Sequence, residues 1–299
     1  EMSRGLGDVY KRQAEKWLIR PPMLSEIEDL VRYADVSLQS EMETIRAINK
    51  ECEKQRKRHK IILMMDLGDI REGYVDEEEL IAAAVETEKL SHVDLYGIGT
   101  NLTCFSFIQA DEEKMERLAE MRRKVENAAG HTLEIVSGGN SAALDLMMRG
   151  GICEGIDSFR LGESLLFGKE RSRYTFLPGT RNDGFILECE VVEAKVKPSL
   201  PWGTTGVDSY GRKPVFTNRG EKRKKVICAI GRQDFDAETT TPVDEGILIL
   251  GASSDHLILD VTDSVKEYKV GDIVELRLGY FSVLRAFTSP YVEKIFLKK

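Results

Sequence analysis

Arg160 interrupts the apolar stretch Phe159 to Phe167, and a guanidinium taken out of water needs a partner. Gly162 stands two residues further on, and Ser137-Gly138-Gly139-Asn140-Ser141 forms a run of small residues shortly before. Read as a loop opening directly into a helix, that run exposes backbone N–H groups where the helix dipole favours an anion. With Gly162 in the neighbouring strand end, the two segments could share one phosphate. Arg71, in the glycine-flanked segment Asp66 to Gly73, has the forked donor geometry that grips a carboxylate. Each feature has a plainer alternative. The small-residue run can be a tight turn with a helix cap, Arg160 can be salt-bridged to Glu163 or a neighbouring carboxylate, and Arg71 can be a surface arginine.

Side chains so spaced need a scaffold that brings successive strand ends to one rim. From Trp17 onward, short apolar runs alternate with amphipathic helical stretches. The sequence predicts strands at Trp17–Ile19, Val36–Leu38, Lys60–Asp66, Asp94–Thr100, Leu133–Val136 and Phe159–Phe167. Helices are predicted at Glu26–Tyr33 with Ser25 as cap, Glu41–Arg58, Glu77–Leu90 capped by Asp76, Asp111–Ala129 and Ala142–Met148. Strands alternating with helices make βαβ units and a parallel sheet. Six units without a dinucleotide fingerprint predict an α/β fold, a (β/α)8 TIM barrel whose first two units are missing. A six-unit open sheet is the alternative. In such a barrel the active site lies at the strand ends, where Asp66 to Gly73, Thr100 to Cys104, Ser137 to Ser141 and Arg160 to Glu163 fall.

Past Tyr174 the pattern changes to short β-rich segments at Gly184–Val196, Lys225–Ile230, Ile247–Leu250, His256–Val261 and Ile273–Leu278, with no convincing helix. The division is therefore a partial barrel over residues 14–178 and an all-β domain over 179–299. Residues 1–13 stand apart, because Asp8 to Gln13 resembles the translation of a transposase adapter used for sequencing libraries. A polar leader peptide is the alternative.

The net charge of −8 disfavours a nucleic-acid binder. No apolar run approaches the roughly 20 residues that span a bilayer, so no membrane association is expected. The five cysteines are scattered and never form CxxC, which argues against disulfides and a zinc site and points to the cytoplasm.

Four strand-end motifs, Asp66-x-Gly-x-x-Arg71-x-Gly, Gly97-x-x-Thr100-Asn101, Asn140-Ser141-Ala142 and Arg160-x-Gly162, resemble in order and spacing those of the alanine racemase family. In the β domain, Gly231-Arg232-Gln233-Asp234, Gly251-Ala252-Ser253-Ser254-Asp255-His256 and Ser289-Pro290-Tyr291-Val292 are similar to its ornithine racemase branch. The resemblance runs from Trp17 to the end. It implies pyridoxal 5'-phosphate as cofactor and an amino-acid racemase that removes an α-proton on one face and returns it on the other. Ornithine is the favoured substrate and alanine a possible one. The resemblance further implies a phosphate site at Ser137, Gly139, Asn140, Ser141, Gly162 and Glu163, Arg160 facing the pyridine nitrogen, and Asn101 near the ring. Arg71, Ser254 and Asp255 become candidate substrate contacts, and a homodimer is expected. An always-charged arginine keeps that nitrogen unprotonated and weakens the ring as an electron sink.

Two departures matter. Arg232 stands where many relatives have a catalytic tyrosine, and Met64 where they can carry a modified lysine. Arginine is a poor base, so Asp234 and His256 become the candidates for the second one. The lysine that anchors the cofactor belongs at the end of the first barrel strand, which this chain is expected to lack. Lys16 and Lys60 precede strands and Lys169 lies beyond the last, so the fragment is expected to be inactive. A non-catalytic pyridoxal-phosphate homeostasis protein on a similar barrel is the alternative, although such proteins generally lack the β domain. A related decarboxylase would show a longer β domain and a cysteine-containing motif.

Overall fold

The computed structural model describes residues 14–207 and 211–297 and divides into two compact units, one ending at Pro178 and one beginning at Gly179. The adapter-like residues 1–13 lie outside the described residues. In the first unit six parallel strands, β1 (Trp17–Leu18), β2 (Val36–Gln39), β3 (His59–Met65), β4 (Val93–Thr100), β5 (Ile135–Asn140) and β6 (Ser158–Arg160), are hydrogen-bonded in that order. The crossovers carry α1 (Ile27–Tyr33), α2 (Met42–Gln55), α3 (Glu77–Thr87), α4 (Glu112–Ala129) and α5 (Leu144–Met148), and α6 (Glu163–Phe167) follows β6. Among the described residues β1 and β6 are outer strands, each paired on one side.

β3 is apolar without alternation because both of its faces are covered. Ile61, Leu63 and Met65 join Ile98, Val136 and the helix residues Ile45, Ile48, Leu80 and Leu118 in one core. Ile62 and Met64 pack with Val36 and Leu38 on the other face, against Trp17, Tyr96 and Ile135. Each such side chain contributes about 2 kcal/mol on burial. Asp76 caps α3 by accepting from the Glu78 and Glu79 N–H groups, and Asp111 caps α4 through Lys114 N–H. Both helices therefore begin where their carboxylates predict.

Four local expectations are corrected. Ser25 caps nothing: the chain tightens into a 3-10 turn over Leu24–Glu26, and the Glu26 carboxylate accepts from Met23 N–H at 3.1 Å. The second predicted helix stops short of Arg58, because Arg56 adopts a left-handed conformation (φ 54°) after Gln55. The stretch from Phe159 to Phe167 is not one strand. It ends at Arg160, turns at Gly162 and becomes α6, with Phe167 buried and Leu165 exposed; an apolar run this short does not separate strand from helix by periodicity. Finally, Ser137 to Asn140 is strand rather than loop, with Ser137 opposite Ser158 and Asn140 opposite Arg160.

The second unit is an antiparallel sheet of β7 (Ile186–Lys197), β8 (Arg223–Cys228), β9 (Thr240–Pro242), β10 (Leu248–Ala252), β11 (Leu257–Asp260) and β12 (Ile273–Leu278), in the order β10-β11-β8-β7-β12-β9. Contrary to expectation it also carries a helix, α7 (Tyr280–Thr288). Aromatic and β-branched residues hide it in the sequence. Its inner face is the buried pair Ser282 and Ala286, four residues apart and small enough for close approach. The Ser282 hydroxyl donates to Asp236 O at 2.6 Å and accepts from Asp236 N–H at 3.0 Å. Among the described residues no helix is long and apolar enough to cross a membrane.

One buried polar chain makes the first unit acid-sensitive. His59 Nε2 meets Ser37 Oγ at 2.9 Å, and Ser37 Oγ accepts from Gln39 Nε2 at 2.7 Å. Burial pushes His59 down from 6.5 to about 4. The unfolded chain then binds the proton more tightly than the folded one. The associated stability is complete above pH 6.5 and is lost as pH falls towards 4, by about 3 kcal/mol in all. Urea titrations at pH 7 and pH 4.5 should show this loss in the native protein and a smaller one in His59→Gln. Equal losses in both would refute the assignment to His59.

Candidate active site

The C-terminal ends of β3, β4, β5 and β6 carry the polar residues singled out in the sequence. After β3 the chain makes a loop organised by two buried aspartates. Asp66 accepts from Gly68 N–H at 2.8 Å, Ile70 N–H at 3.1 Å and Arg71 N–H at 3.2 Å. These bonds hold Ile70 in the left-handed region (φ 53°), an unfavourable place for a β-branched residue. Gly73 closes the loop with φ 124°, and a Cβ there would lie 2.7 Å from Asp66 N. Asp69 reaches the loop after β4, accepting from Cys104 N–H at 3.2 Å, Phe105 N–H at 3.1 Å and Ser106 N–H at 3.0 Å.

Arg160 ends β6 and points its guanidinium back across the strand ends. It donates to Ser137 Oγ on β5, to Thr100 O at 2.7 Å and to Asn101 Oδ1 at 2.6 Å. The expected alternative, a salt bridge with Glu163, is not what forms; Glu163 faces Arg171 at 3.5 Å. Among the described residues no carboxylate pairs with Arg160 directly. Burial lowers its guanidinium to about 10, against the opposing charge of Glu72. Burial also raises the Glu163 carboxyl, offset in part by Arg171 and Lys169.

Beside Arg160, Ser141 opens the segment after β5. Its hydroxyl accepts from Gly162 N–H at 3.3 Å and Ser164 N–H at 3.2 Å, and lies 3.1 Å from Ser164 Oγ. Asn140 holds this corner by accepting from Ala142 N–H at 2.8 Å and donating to Leu102 O at 3.0 Å. The helices that begin here are only a single 3-10 turn (Ser141–Ala143) leading into α5, and the five-residue α6. Individual N–H and O–H groups therefore provide the anion-binding capacity, and the macrodipole expected of a long helix adds little.

The structure thus brings Arg71, Asn101, Ser137, Asn140, Ser141, Arg160, Gly162 and the sequence-missed Glu72 and Ser164 to adjoining strand ends. Glu72 bonds both Arg71 and Asn101. The only signal for it in the sequence is its position next to Arg71. Gly139, near the end of β5 with φ 123°, and Glu163 lie in the same segments.

The second unit gathers the other candidates among themselves. The four-residue turn Ser253–His256 between β10 and β11 rests on the turn at Gly231, with Arg232 N–H donating to Ser253 O at 2.8 Å and Gln233 N–H to Ser254 O at 3.1 Å. A Cβ at Gly231 would come within 2.3 Å of Asp255 N. Asp234 is buried, and its carboxylate accepts from Ser289 Oγ at 2.6 Å. His256 is exposed, with Nδ1 2.7 Å from Asp255 Oδ1, and that partner lowers the Asp255 carboxyl. The three motif segments of this unit therefore meet in one place.

Residues 10–170 match the family described as "Alanine racemase, N-terminal domain". The ornithine racemase of Acetoanaerobium sticklandii is 46% identical over 282 residues, covering 94% of this chain and 80% of that protein. The chain belongs to the alanine racemase family. The lysine racemase of Thermotoga maritima is 40% identical over 279 residues, covering 93% and 77%. Among solved structures, the alanine racemase from Bartonella henselae with covalently bound pyridoxal phosphate superposes with a TM-score of 0.56 at 19% identity, covering 92% of this chain and 74% of its own. The parallel half and the separate antiparallel sheet are those of the family's barrel and β domain.

Pyridoxal phosphate is the family's cofactor, and the residues present fit it. A half-buried guanidinium held by neutral oxygens leaves its positive charge for an electron-pair donor such as a pyridine nitrogen. The Ser141 hydroxyl, the Ser164 hydroxyl and the Gly162 N–H converge as a phosphate cradle would require, and a Cβ at Gly162 would meet nothing within 4 Å, so the cradle opens outward. Thr100 Oγ1, fully buried at the end of β4, has no hydrogen-bond partner.

Proposed function

We propose that this chain is part of a pyridoxal-phosphate-dependent racemase of a basic amino acid, with ornithine as the first substrate and alanine a weaker one. The observation that carries the reading is the Arg160 guanidinium, half-buried and, among the described residues, without a direct counter-ion, beside the Ser141–Gly162–Ser164 cradle. The 46% identical ornithine racemase supports the choice of substrate. Pyridoxal phosphate supplies an electron sink that makes the α-proton of a bound amino acid labile. Ser141, Ser164 and Gly162 N–H, with Ser137, Gly139, Asn140 and Glu163 shaping the segment, hold its phosphate. Arg160 faces the ring nitrogen with a charge that keeps it unprotonated, and Asn101 fixes Arg160. Arg71 orients the substrate carboxylate. For the second proton acceptor His256 is favoured over Asp234. Asp255 fixes the imidazole at Nδ1 and leaves Nε2 to take and return a proton, whereas the Asp234 carboxylate is spent on Ser289. Ser254 and Asp255 line the same turn as candidate substrate contacts.

The reading includes a cytoplasmic homodimer in which the β unit of one subunit completes the other's site. It also takes the six strands as units of a closed (β/α)8 barrel, with the cofactor lysine outside this chain. The described lysines support that. Lys60 lies near the N-terminal end of β3 with Nζ on Glu15, away from the rim, and Lys169 is turned to the Tyr174 ring with Nζ 4.1 Å from its centroid. The chain alone is then inactive.

The test is to express the coding sequence with its upstream part, add pyridoxal phosphate, and record the bound-cofactor absorption and the loss of optical rotation of L-ornithine, L-lysine and L-alanine. Racemisation fastest with ornithine is the expected result. Cofactor binding without racemisation of any of the three would replace the reading by a cofactor-homeostasis protein. Full activity of residues 14–299 alone would refute the missing lysine.

A further inference from the structure

In the site described above, Arg71 and Arg160 lie near one another, and among the described residues Glu72 is the carboxylate that reaches Arg71 directly and Arg160 through one amide. Asp66 and Asp69 spend their oxygens on backbone N–H groups. Glu72 does not. Its side chain is only 14% exposed; Oε2 pairs with Arg71 Nε, and Oε1 accepts from Arg71 Nη2 at 2.8 Å and also from Asn101 Nδ2. The other end of the same amide, Asn101 Oδ1, accepts from Arg160 Nη2 at 2.6 Å. The amide orientation follows from charge, because a reversed Asn101 would set its oxygen against the carboxylate and its NH2 against the guanidinium. The resulting array runs Arg71, Glu72, Asn101, Arg160 and carries one net positive charge, which suits an anionic ligand group.

We propose that Glu72 is a positioning residue for both guanidiniums, clamping Arg71 directly and aiming Arg160 through the Asn101 amide. Burial alone would lower Arg71; the hydrogen bond to Glu72 is the largest opposing influence, and together with the charges of Cys104, Glu72 and Asp69 it raises that group. Glu72 is likewise the leading charge that opposes the lowering of Arg160. The proposal rests on the racemase reading for what the two arginines bind, but the clamp itself is a property of the protein.

The test compares wild type, Glu72→Gln and Asn101→Leu in the complete protein, with arginine side chains labelled with nitrogen-15. Without cofactor, Glu72→Gln should accelerate hydrogen exchange of the Arg71 and Arg160 guanidinium resonances at least tenfold. Asn101→Leu should do so for Arg160 and leave Arg71 nearly unchanged. With cofactor, Glu72→Gln should weaken pyridoxal phosphate binding at least fivefold and raise the KM for ornithine about tenfold, with a smaller change in kcat. Arg160 exchange unaltered in Glu72→Gln would overturn the relay, as would cofactor affinity and KM within twofold of wild type. If Glu72→Gln fails to fold, Asn101→Leu decides alone: unchanged Arg160 exchange there overturns the proposal. Wild type that neither binds pyridoxal phosphate nor racemises would end the functional reading, and the exchange data would still decide the clamp.

Discussion

Replacing Arg160 by alanine in the complete protein is expected to lower kcat/KM for racemisation about a hundredfold or more, comparable to removing a preorganised donor from other active sites. The substitution takes away the three hydrogen bonds that the Arg160 guanidinium donates, to Ser137 Oγ, Thr100 O and Asn101 Oδ1. Thr100 O and Asn101 Oδ1 would then be left partly buried and unsatisfied, at a cost of about 3 kcal/mol. Lysine is no rescue, because a single ammonium on a flexible stem cannot span acceptors on β4, β5 and the loop after β4. The measurement is a rate assay alongside a thermal melt. A variant with wild-type kcat/KM would remove Arg160 from the site. One that loses stability but keeps its rate would make it purely structural.

Asp69→Ala should be the most damaging single change to the scaffold of the site. The carboxylate is 1% exposed and accepts from three successive N–H groups, those of Cys104, Phe105 and Ser106, on the neighbouring loop. Alanine leaves all three donors without a partner and disconnects the loops after β3 and β4, for about 4 kcal/mol. That corresponds to a fall in the melting temperature of the first unit by about 10 °C. Because those loops carry Arg71, Glu72 and Asn101, the KM for the amino acid should rise as well. Asp69→Asn, which still offers one acceptor oxygen, should lose about half as much. Calorimetry of both variants checks the ordering, and an alanine variant as stable as wild type would refute it.

The alternation of β and α elements was legible because each rests on local chemistry. Asp76 and Asp111 announce helix starts by side-chain capping, and the run at Ile61 to Met65 announces a strand covered on both faces. Arg160 was legible as a candidate site residue because a cation set in an apolar run must find a partner or a ligand there. Elsewhere local signals were weak or were outcompeted. α6 and α7 consist of residues that suit strands as well as helices, and their inner faces, Phe167 in one and Ser282 with Ala286 in the other, became visible only against their packing partners.

The sequence alone therefore determined the order of elements, the division into a parallel and an all-β part, and the strand-end candidates Arg71, Ser141 and Arg160, since these follow from periodicity, loop composition and the cost of burying charge; Asn101 was singled out only through the family resemblance. Only the tertiary structure decided which partner each charge takes. Arg160 chose the oxygens of Ser137, Thr100 and Asn101 over Glu163, Asp234 turned to Ser289, and Glu72 emerged as the carboxylate shared between Arg71 and Asn101. Pairing across strands depends on register and on the direction in which each side chain leaves the sheet, and neither quantity is encoded in spacing along the chain.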